Sequence, residues 1–122
     1  MASEGGLFPA RLSFTDDFPN KPPECRFETP GFWHPNVYPD GRVCISILHE
    51  AKEDVLNAQE LITEKWRPIL GVEAILVSVV SMLSDPNPDS PANIDAAIEF
   101  RNDFESYKKK IRKLVRRSQE MI

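Results

Sequence analysis

The stretch His34–Leu48, HPNVYPDGRVCISIL, decides how this chain folds and what chemistry it can carry. It places a thiol, Cys44, eight residues after Asn36 and across a turn-forming Pro39-Asp40-Gly41 sequence. Acyl transfer through a thioester needs a nucleophilic thiol and gains from an amide donor beside the reacting carbonyl. We therefore predict a rigid turn that brings Asn36 and Cys44 together, followed by a short extended apolar segment over 43–48.

Two strands are predicted before this stretch. Apolar residues alternate from Leu7 to Phe14, and a second alternation begins at Cys25. Each pattern is typical of a strand with one buried face. The intervening segment, 16–23, combines turn formers with three prolines, which cannot donate hydrogen bonds to a sheet. It is therefore predicted to be a loop.

Helices are predicted after it. The apolar run from Val72 to Leu83 is long for a strand and favours a buried central helix, which the proline-rich segment 85–91 must end. Asn93 suits the amino-terminal cap of a helix that reaches about Arg101, and apolar residues spaced by three and four from residue 104 onward predict another. Strands followed by helices predict an α+β fold, an antiparallel meander sheet packed on a central helix with two C-terminal helices.

The composition narrows the class of protein. A chain of 122 residues predicts a single domain, 1–122, and its net charge of −4 argues against nucleic-acid binding. The longest apolar stretch, 69–83, is too short to span a bilayer, so direct membrane insertion is not expected. Cys25 and Cys44 form no CxxC pair, which favours free thiols over a zinc site. The basic run 108–117 is predicted to be a solvated helix face, with a partner surface as the alternative.

Three motifs together resemble the catalytic core of a ubiquitin-conjugating enzyme. They are the 34–48 stretch, the Trp66-Arg67-Pro68 sequence, and SDPNPDSPAN over 84–93. The upstream FPARLSFTDDFPNKPPECRF over 8–27 is similar to two strands and a proline loop of that family. The resemblance implies an enzyme that takes ubiquitin from an activating enzyme as a thioester on cysteine. It then passes ubiquitin to a lysine amine, usually with a ligase bound.

The resemblance assigns roles to the residues of these motifs. Cys44 would be the acceptor thiol, whereas Cys25 is expected to be a small buried hydrophobe. Asn36 would donate to the oxyanion as the amine attacks, or would hold the neighbouring loop in shape. His34 and the two residues Pro35 and Trp66 are implied to be structural, and a base role for the histidine is disfavoured.

Activation of the incoming amine is implied to involve the loop after the central helix. The family often has an acidic residue or serine at a position that matches Ser90, and Asp89 lies beside it. A lysine amine is mostly protonated at neutral pH, so nearby acceptors would assist its attack. The alternative is that 85–91 is only a rigid turn.

The stretch between Cys44 and Trp66 is acidic and resembles the family's acidic-loop subgroup, some members of which serve degradation of endoplasmic-reticulum proteins and build lysine-48-linked chains. The residues implied to line the approach to the thioester are His49, Glu50, Glu53 and Asp54. A bland solvated loop is the alternative, and a helical turn is expected around 57–62.

Partner sites follow from the same resemblance. The positions that match the family's ligase-binding loops are Asn20, Lys21, Pro68 and Ile69, and a ligase of the RING type is expected. No metal or organic cofactor is implied, since ATP would be consumed by the activating enzyme. The expected location is cytoplasmic, with nuclear residence or recruitment to the endoplasmic-reticulum surface by a partner as further options.

The family's first helix and two further strands would precede Leu7, where this chain has only Met1 to Gly6. We therefore expect an amino-terminally incomplete domain with an unpaired sheet edge that could support self-association. The alternative function is a noncatalytic ubiquitin- or ligase-binding module. A cysteine hydrolase that uses His34 or His49 is a third hypothesis, disfavoured because no orienting acid accompanies either histidine.

Overall fold

The structure, a computed structural model, describes residues 4–50 and 65–120. Strands β1 (Ala10–Ser13) and β2 (Glu24–Phe27) come first, and a 3₁₀ turn (Ser46–Leu48) follows them. Helices α1 (Val72–Ser84), α2 (Ile94–Asn102) and α3 (Phe104–Glu120) complete the described chain. The predicted α+β class is confirmed. The acidic-loop candidates Glu53 and Asp54, and the helical turn predicted over 57–62, lie outside the described residues.

The sheet is antiparallel and small. Strands β1 and β2 pair from Ala10 opposite Phe27 to Ser13 opposite Glu24. β1 is shorter than the predicted 7–14 strand because Pro9 has no amide proton and the Leu7 amide donates to Ser118 Oγ at 3.0 Å instead. Within the described residues β1 pairs on one side only, and self-association through its other edge stays a prediction.

The segment that carries Asn36 and Cys44 lies along the free side of β2. Isolated bridges join Arg26 to Arg42 and Val37 to Val43. A turn at Gly41 makes this possible, since its φ of +99° is a left-handed conformation. A Cβ there would lie 2.3 Å from the Phe27 carbonyl oxygen, so only glycine fits.

The prediction of an extended segment over 43–48 is wrong beyond Ile45. Backbone bonds from Leu48 N to Ile45 O (3.0 Å) and from His49 N to Ser46 O (2.9 Å) close a 3₁₀ turn. Alternation along a strand would turn Leu48 away from Ile45 and Ile47. The turn instead lets all three side chains pack against the core.

Helix α1 is central but only half buried, which corrects the prediction of a buried helix. Its residues Ile75, Val79 and Met82 are buried in the main core, together with Trp66, Phe27 and their neighbours. On the opposite side Leu76, Val77 and Val80 each expose at least half of their surface. The helix ends at Ser84, before Pro86, as the proline-rich segment predicts.

Helices α2 and α3 confirm the downstream predictions. The Asn93 side chain accepts from Ala96 N at 3.0 Å and caps α2. The predicted apolar stripe of α3 is buried from Tyr107 onward, while Phe104, at its start, is 47% exposed. None of the helices in the described ranges is long and apolar enough to cross a membrane.

A carboxylate clasp joins these helices to the residue before His34. Trp33 Nε1 donates to Glu99 Oε1 at 3.0 Å, and Lys110 Nζ and Ser106 Oγ reach Glu99 Oε2 at 2.8 and 3.2 Å. Lys110 also lies 4.3 Å from the centre of the Trp33 ring. Burial raises the pKa of Glu99, but these hydrogen bonds and the Lys110 charge outweigh it and lower the pKa below its usual value.

Candidate active site

Cys44 follows Val43, which is hydrogen-bonded to β2. The preceding Val43 amide donates to Cys25 O at 2.9 Å, and the Cys44 amide donates to Asn36 O at 2.8 Å. The thiol is half buried, whereas the side chain of Cys25 is only 2% exposed. Burial raises the pKa of the Cys25 thiol, which suits the small structural hydrophobe predicted there.

The thiol borders an open groove of about 290 Å³. His49 and Tyr38 line the groove with Cys44, and His49 Nε2 lies 3.6 Å from Cys44 Sγ. The charge of Cys44 and a hydrogen bond with it raise the pKa of Tyr38, with burial adding to the effect. Tyr38 was missed from the sequence, where only the turn that it opens gave a signal.

His34 occupies a different environment from His49. It is 2% exposed, its Nε2 lies 2.9 Å from the Met82 carbonyl, and its Nδ1 accepts from Asn36 N at 2.9 Å. These partners assign a neutral ring with the proton on Nε2. Burial lowers the pKa of His34 to about 4, against the opposing effect of the Met82 carbonyl. Both ring nitrogens are therefore occupied by structural hydrogen bonds.

Asn36 clamps the loop that follows α1. Its Nδ2 donates to Asn87 O, and its Oδ1 accepts from Asn87 N, each at 2.8 Å. The neighbouring Pro35 carbonyl accepts from Ala92 N and Asn93 N at 2.8 and 3.0 Å. The loop over 85–93 is thus held by four hydrogen bonds to residues 35–36.

The two residues proposed to activate the amine differ in their contacts. Asp89 forms an ion pair with Arg101 on α2, and its amide donates to Asn87 Oδ1 at 3.1 Å. Ser90 is exposed. Neither residue lines the groove beside Cys44 within the described chain. Asp89 connects to the backbone of Cys44 through Asn87 and Asn36. Its contact with Arg101 is one that the sequence gave no reason to choose.

Trp66 joins the two loops that carry the ligase candidates. Its side chain is 2% exposed, and its Nε1 donates to the Pro19 carbonyl at 2.9 Å. This contact sets the 16–23 loop, with Asn20 and Lys21, against the turn that contains Pro68 and Ile69. Ile69 is 84% exposed, the largest exposed fraction among the large apolar side chains described.

The acidic candidates are described only in part. Lys21 Nζ lies 3.9 Å from Glu50 Oε1 and 3.7 Å from Asp17 Oδ2, so Glu50 borders the 16–23 loop. His49 contacts Cys44, as given above. The described residues contain no cluster of three or more side chains suited to bind a metal ion.

Comparison with known proteins identifies the family. The model of the family described as "Ubiquitin-conjugating enzyme" matches residues 2–115. The chain is 54% identical over 119 residues to ubiquitin-conjugating enzyme E2 13 of Arabidopsis thaliana and 55% identical over 119 residues to ubiquitin-conjugating enzyme E2 15 of Schizosaccharomyces pombe. Each match covers 98% of this chain and 70% of the relative.

A longer relative is similar at a comparable level. The ubiquitin-conjugating enzyme E2-34 kDa of Saccharomyces cerevisiae is 48% identical over 118 residues, which are 97% of this chain and 39% of that protein. This chain belongs to the ubiquitin-conjugating enzyme family, and its class of activity is that of a ubiquitin-conjugating transferase. Membership implies ubiquitin, an activating enzyme and a ligase as general partners.

The burial of neutral His34 predicts a pH dependence of stability. The pKa is about 4 when folded and about 6.5 when unfolded, so the unfolded chain takes up the proton first. The contribution of neutral His34 to the free energy of unfolding, roughly 3 kcal/mol, is fully present above pH 6.5 and is lost as the pH falls towards 4. Urea unfolding across this range should show a shallower loss of stability in His34→Gln than in the parent chain.

The matched control is the same substitution at the other histidine. His49→Gln should retain the pH dependence that His34 causes, because the buried His34 ring is unchanged in it. If the His34→Gln protein lost stability with pH as steeply as the parent, the assignment of a buried neutral imidazole would be wrong.

Proposed function

We propose that Cys44 accepts ubiquitin as a thioester from an activating enzyme and that a ligase-assisted reaction passes it to a lysine of a substrate or of ubiquitin. In the first step a bond forms between Cys44 Sγ and the ubiquitin carbonyl carbon, and the bond to the activating enzyme's sulfur breaks. In the second step the amine nitrogen forms a bond to the carbonyl carbon and the bond from that carbon to Cys44 Sγ breaks. The sulfur leaves with the electron pair, and the proton lost by the amine restores the thiol. The supporting observation is the half-exposed thiol of Cys44 at the groove with His49.

Substitution of each cysteine tests the carrier. After mixing with ubiquitin, activating enzyme and ATP, the parent chain and Cys25→Ala should give a thiol-sensitive band of one added ubiquitin on a nonreducing gel. Cys44→Ala should give none, because the half-exposed thiol at the groove is removed. Cys25→Ala is the matched control, since Cys25 of β2 also borders the groove but its side chain is only 2% exposed.

Two other results would refute the proposal. A band in the Cys44→Ala protein would place the carrier elsewhere. No band from a folded parent chain would favour the alternative, a noncatalytic ubiquitin- or ligase-binding module. Circular dichroism and size-exclusion chromatography of each variant would establish that the chains compared are folded.

We propose that Asn36 acts in the transfer step mainly by holding the loop over 85–93. The support is geometric, since its amide oxygen and one amide hydrogen are engaged by Asn87. Its Nδ2 carries a second hydrogen besides the one donated to Asn87 O, so the two roles are compatible. Ser90 is then the residue proposed to lie beside the incoming amine. Asp89 is proposed instead to stabilise the loop, because it forms an ion pair with Arg101.

Asn36→Ala separates these roles. Discharge of the charged enzyme to free lysine should slow by roughly 100-fold, as for loss of one preorganised donor, while charging persists. Loop holding also requires that hydrogen exchange of the Asn87 amide accelerate, because its acceptor is removed. Slow discharge with an unchanged Asn87 exchange rate would contradict loop holding and support only the oxyanion role. Asn20→Ala, far from this clamp in sequence, serves as the control.

The ligase is proposed to bind the paired loops held by Trp66, and to be of the RING type. Exposed Ile69 supplies an apolar anchor, beside Pro68, Asn20 and Lys21. Single buried anchors often dominate such interfaces. This arrangement supports a ligase surface even though Asn20 is polar where the family commonly has a bulky apolar residue.

We likewise propose that the chain belongs to the acidic-loop subgroup. With this assignment we propose that it serves protein degradation and builds lysine-48-linked chains. The proposed location is cytoplasmic, with nuclear residence or recruitment to the endoplasmic-reticulum surface as further options. It rests on the acidic sequence that begins at Glu50 and on the position of His49 beside the thiol. Negative charge near a thioester would attract an acceptor lysine.

Deletion of 52–63 tests the acidic-loop assignment. The deleted protein should still form the Cys44 thioester but should build shorter ubiquitin chains with altered linkage, as measured by mass spectrometry of the products. A scrambled segment of the same length and charge is the control for loop length. Chains of unchanged length and linkage after deletion would contradict the subgroup assignment.

A further inference from the structure

Helix α3 carries a net positive charge, whereas the rest of the chain is acidic. α3 carries seven Lys and Arg against two Glu, a net of +5. The other residues therefore hold eight cations against 17 acids, a net of −9. The overall value of −4 hides a strongly basic helix, and the function proposed above makes no use of it.

Five cations of α3 form a cationic stripe, defined as Lys109, Arg112, Lys113, Arg116 and Arg117. All five are exposed, and they span an arc of about 140° and a rise of about 12 Å. Within the described chain none of the five side chains makes an ion pair or hydrogen bond. Lys108 and Lys110 of the same helix, in contrast, pair with Glu105 and Glu99.

The stripe is unfavourable for the helix that carries it. Lys109 and Lys113, Arg112 and Arg116, and Lys113 and Arg117 are each four residues apart, which places like charges next to each other on the helix surface. Such pairs destabilise a helix, and the burial that anchors α3 comes from its opposite face, around Tyr107, Ile111 and Leu114. Only Arg117, in the last turn, has a compensating interaction with the helix dipole, so most of the pattern is not explained by helix stability.

A groove runs beside the stripe. It has a volume of about 550 Å³ and is lined by Lys109, Arg112, Lys113 and Arg116, together with Val115 and Glu4. Four of the six lining residues are therefore cations. This lining suits a negatively charged ligand.

We propose that the cationic stripe of α3 and its groove bind an acidic segment of a polypeptide partner. Carboxylates match the guanidinium groups of Arg112 and Arg116, which can pair with them in bidentate geometry, and a flexible segment can follow the 12 Å length of the stripe. Such contacts at an exposed surface chiefly speed association and orient the partner.

The surroundings of the stripe disfavour a membrane or a nucleic acid. Glu105 and Glu120 flank it along the helix, and Glu4 borders the groove. An extended anionic surface on the stripe would be repelled by these flanking carboxylates, whereas a short segment can lie between them. The apolar face of α3 is also buried from Tyr107 onward, so it is not free to insert into lipid.

Fluorescence anisotropy with a labelled peptide of alternating Glu and Gly tests the proposal on the whole chain. The parent should bind at low ionic strength and lose binding in about 1 M salt, where the Debye length is about 3 Å. R112E/K113E, with both substitutions in mid-helix, should bind the peptide with an affinity lower by roughly tenfold or more. The control, R11E/R67E, changes net charge by the same amount at exposed sites off α3 and should bind as the parent does.

Three results would overturn the proposal. Equal binding by the stripe variant and the parent would exclude the stripe, and equal weakening in both variants would show a general effect of net charge. Binding to phosphatidylserine vesicles or to duplex DNA that exceeds peptide binding, and is lost in R112E/K113E, would assign the stripe to a different class of partner. Thioester formation on Cys44 by R112E/K113E would show that the variant is folded and that this surface is separate from the proposed chemistry.

Discussion

The hydrogen bond between His34 Nε2 and the Met82 carbonyl, 2.9 Å long, is the contact on which the site depends. The last four carbonyls of a helix have no partner within it, and Met82 O is one of these at the end of α1. By satisfying that carbonyl, the ring fixes where the central helix ends relative to the sheet. Its other nitrogen accepts from the Asn36 amide, so the same side chain orients the residue that clamps the next loop.

From that contact the site is built by short local bonds. The Asn36 carbonyl accepts from the Cys44 amide, and the Asn36 side chain holds Asn87 on both sides. Backbone and side chain of one residue therefore connect the nucleophile with the loop over 85–93. The backbone of Cys44 is fixed in this way, and His49 and Tyr38 line the groove beside its thiol.

The sequence predicted those parts of the fold that follow from local chemistry. Prolines and glycine forced the loop over 85–91 and the turn at Gly41, and the Asn93 cap was evident from residue type alone. The turn at 46–48 was mispredicted because an apolar run has no intrinsic period, and only packing of Ile45, Ile47 and Leu48 against one core decides it. Half burial of α1 was missed for the same reason, since apolar residues on all sides of a helix do not reveal which side is covered. The contacts of Arg101 with Asp89 and of Tyr38 with Cys44 depend on the tertiary arrangement.

The environment of His34 sets two electrostatic effects against each other. The carboxyl end of a helix favours a cation, by about 0.3–1 kcal/mol at most surfaces and up to ~2 kcal/mol when partly buried. Removal of the ring from water opposes protonation, and the fall in pKa from 6.5 to about 4 corresponds to roughly 3 kcal/mol net in that direction. Desolvation therefore prevails over the helix dipole and the hydrogen bond to Met82. A neutral ring donates through Nε2 and accepts through Nδ1 at once, which an imidazolium cannot do. Because the Asn36 amide needs that acceptor, the burial that makes His34 unsuitable as a base is also what allows it to organise the site.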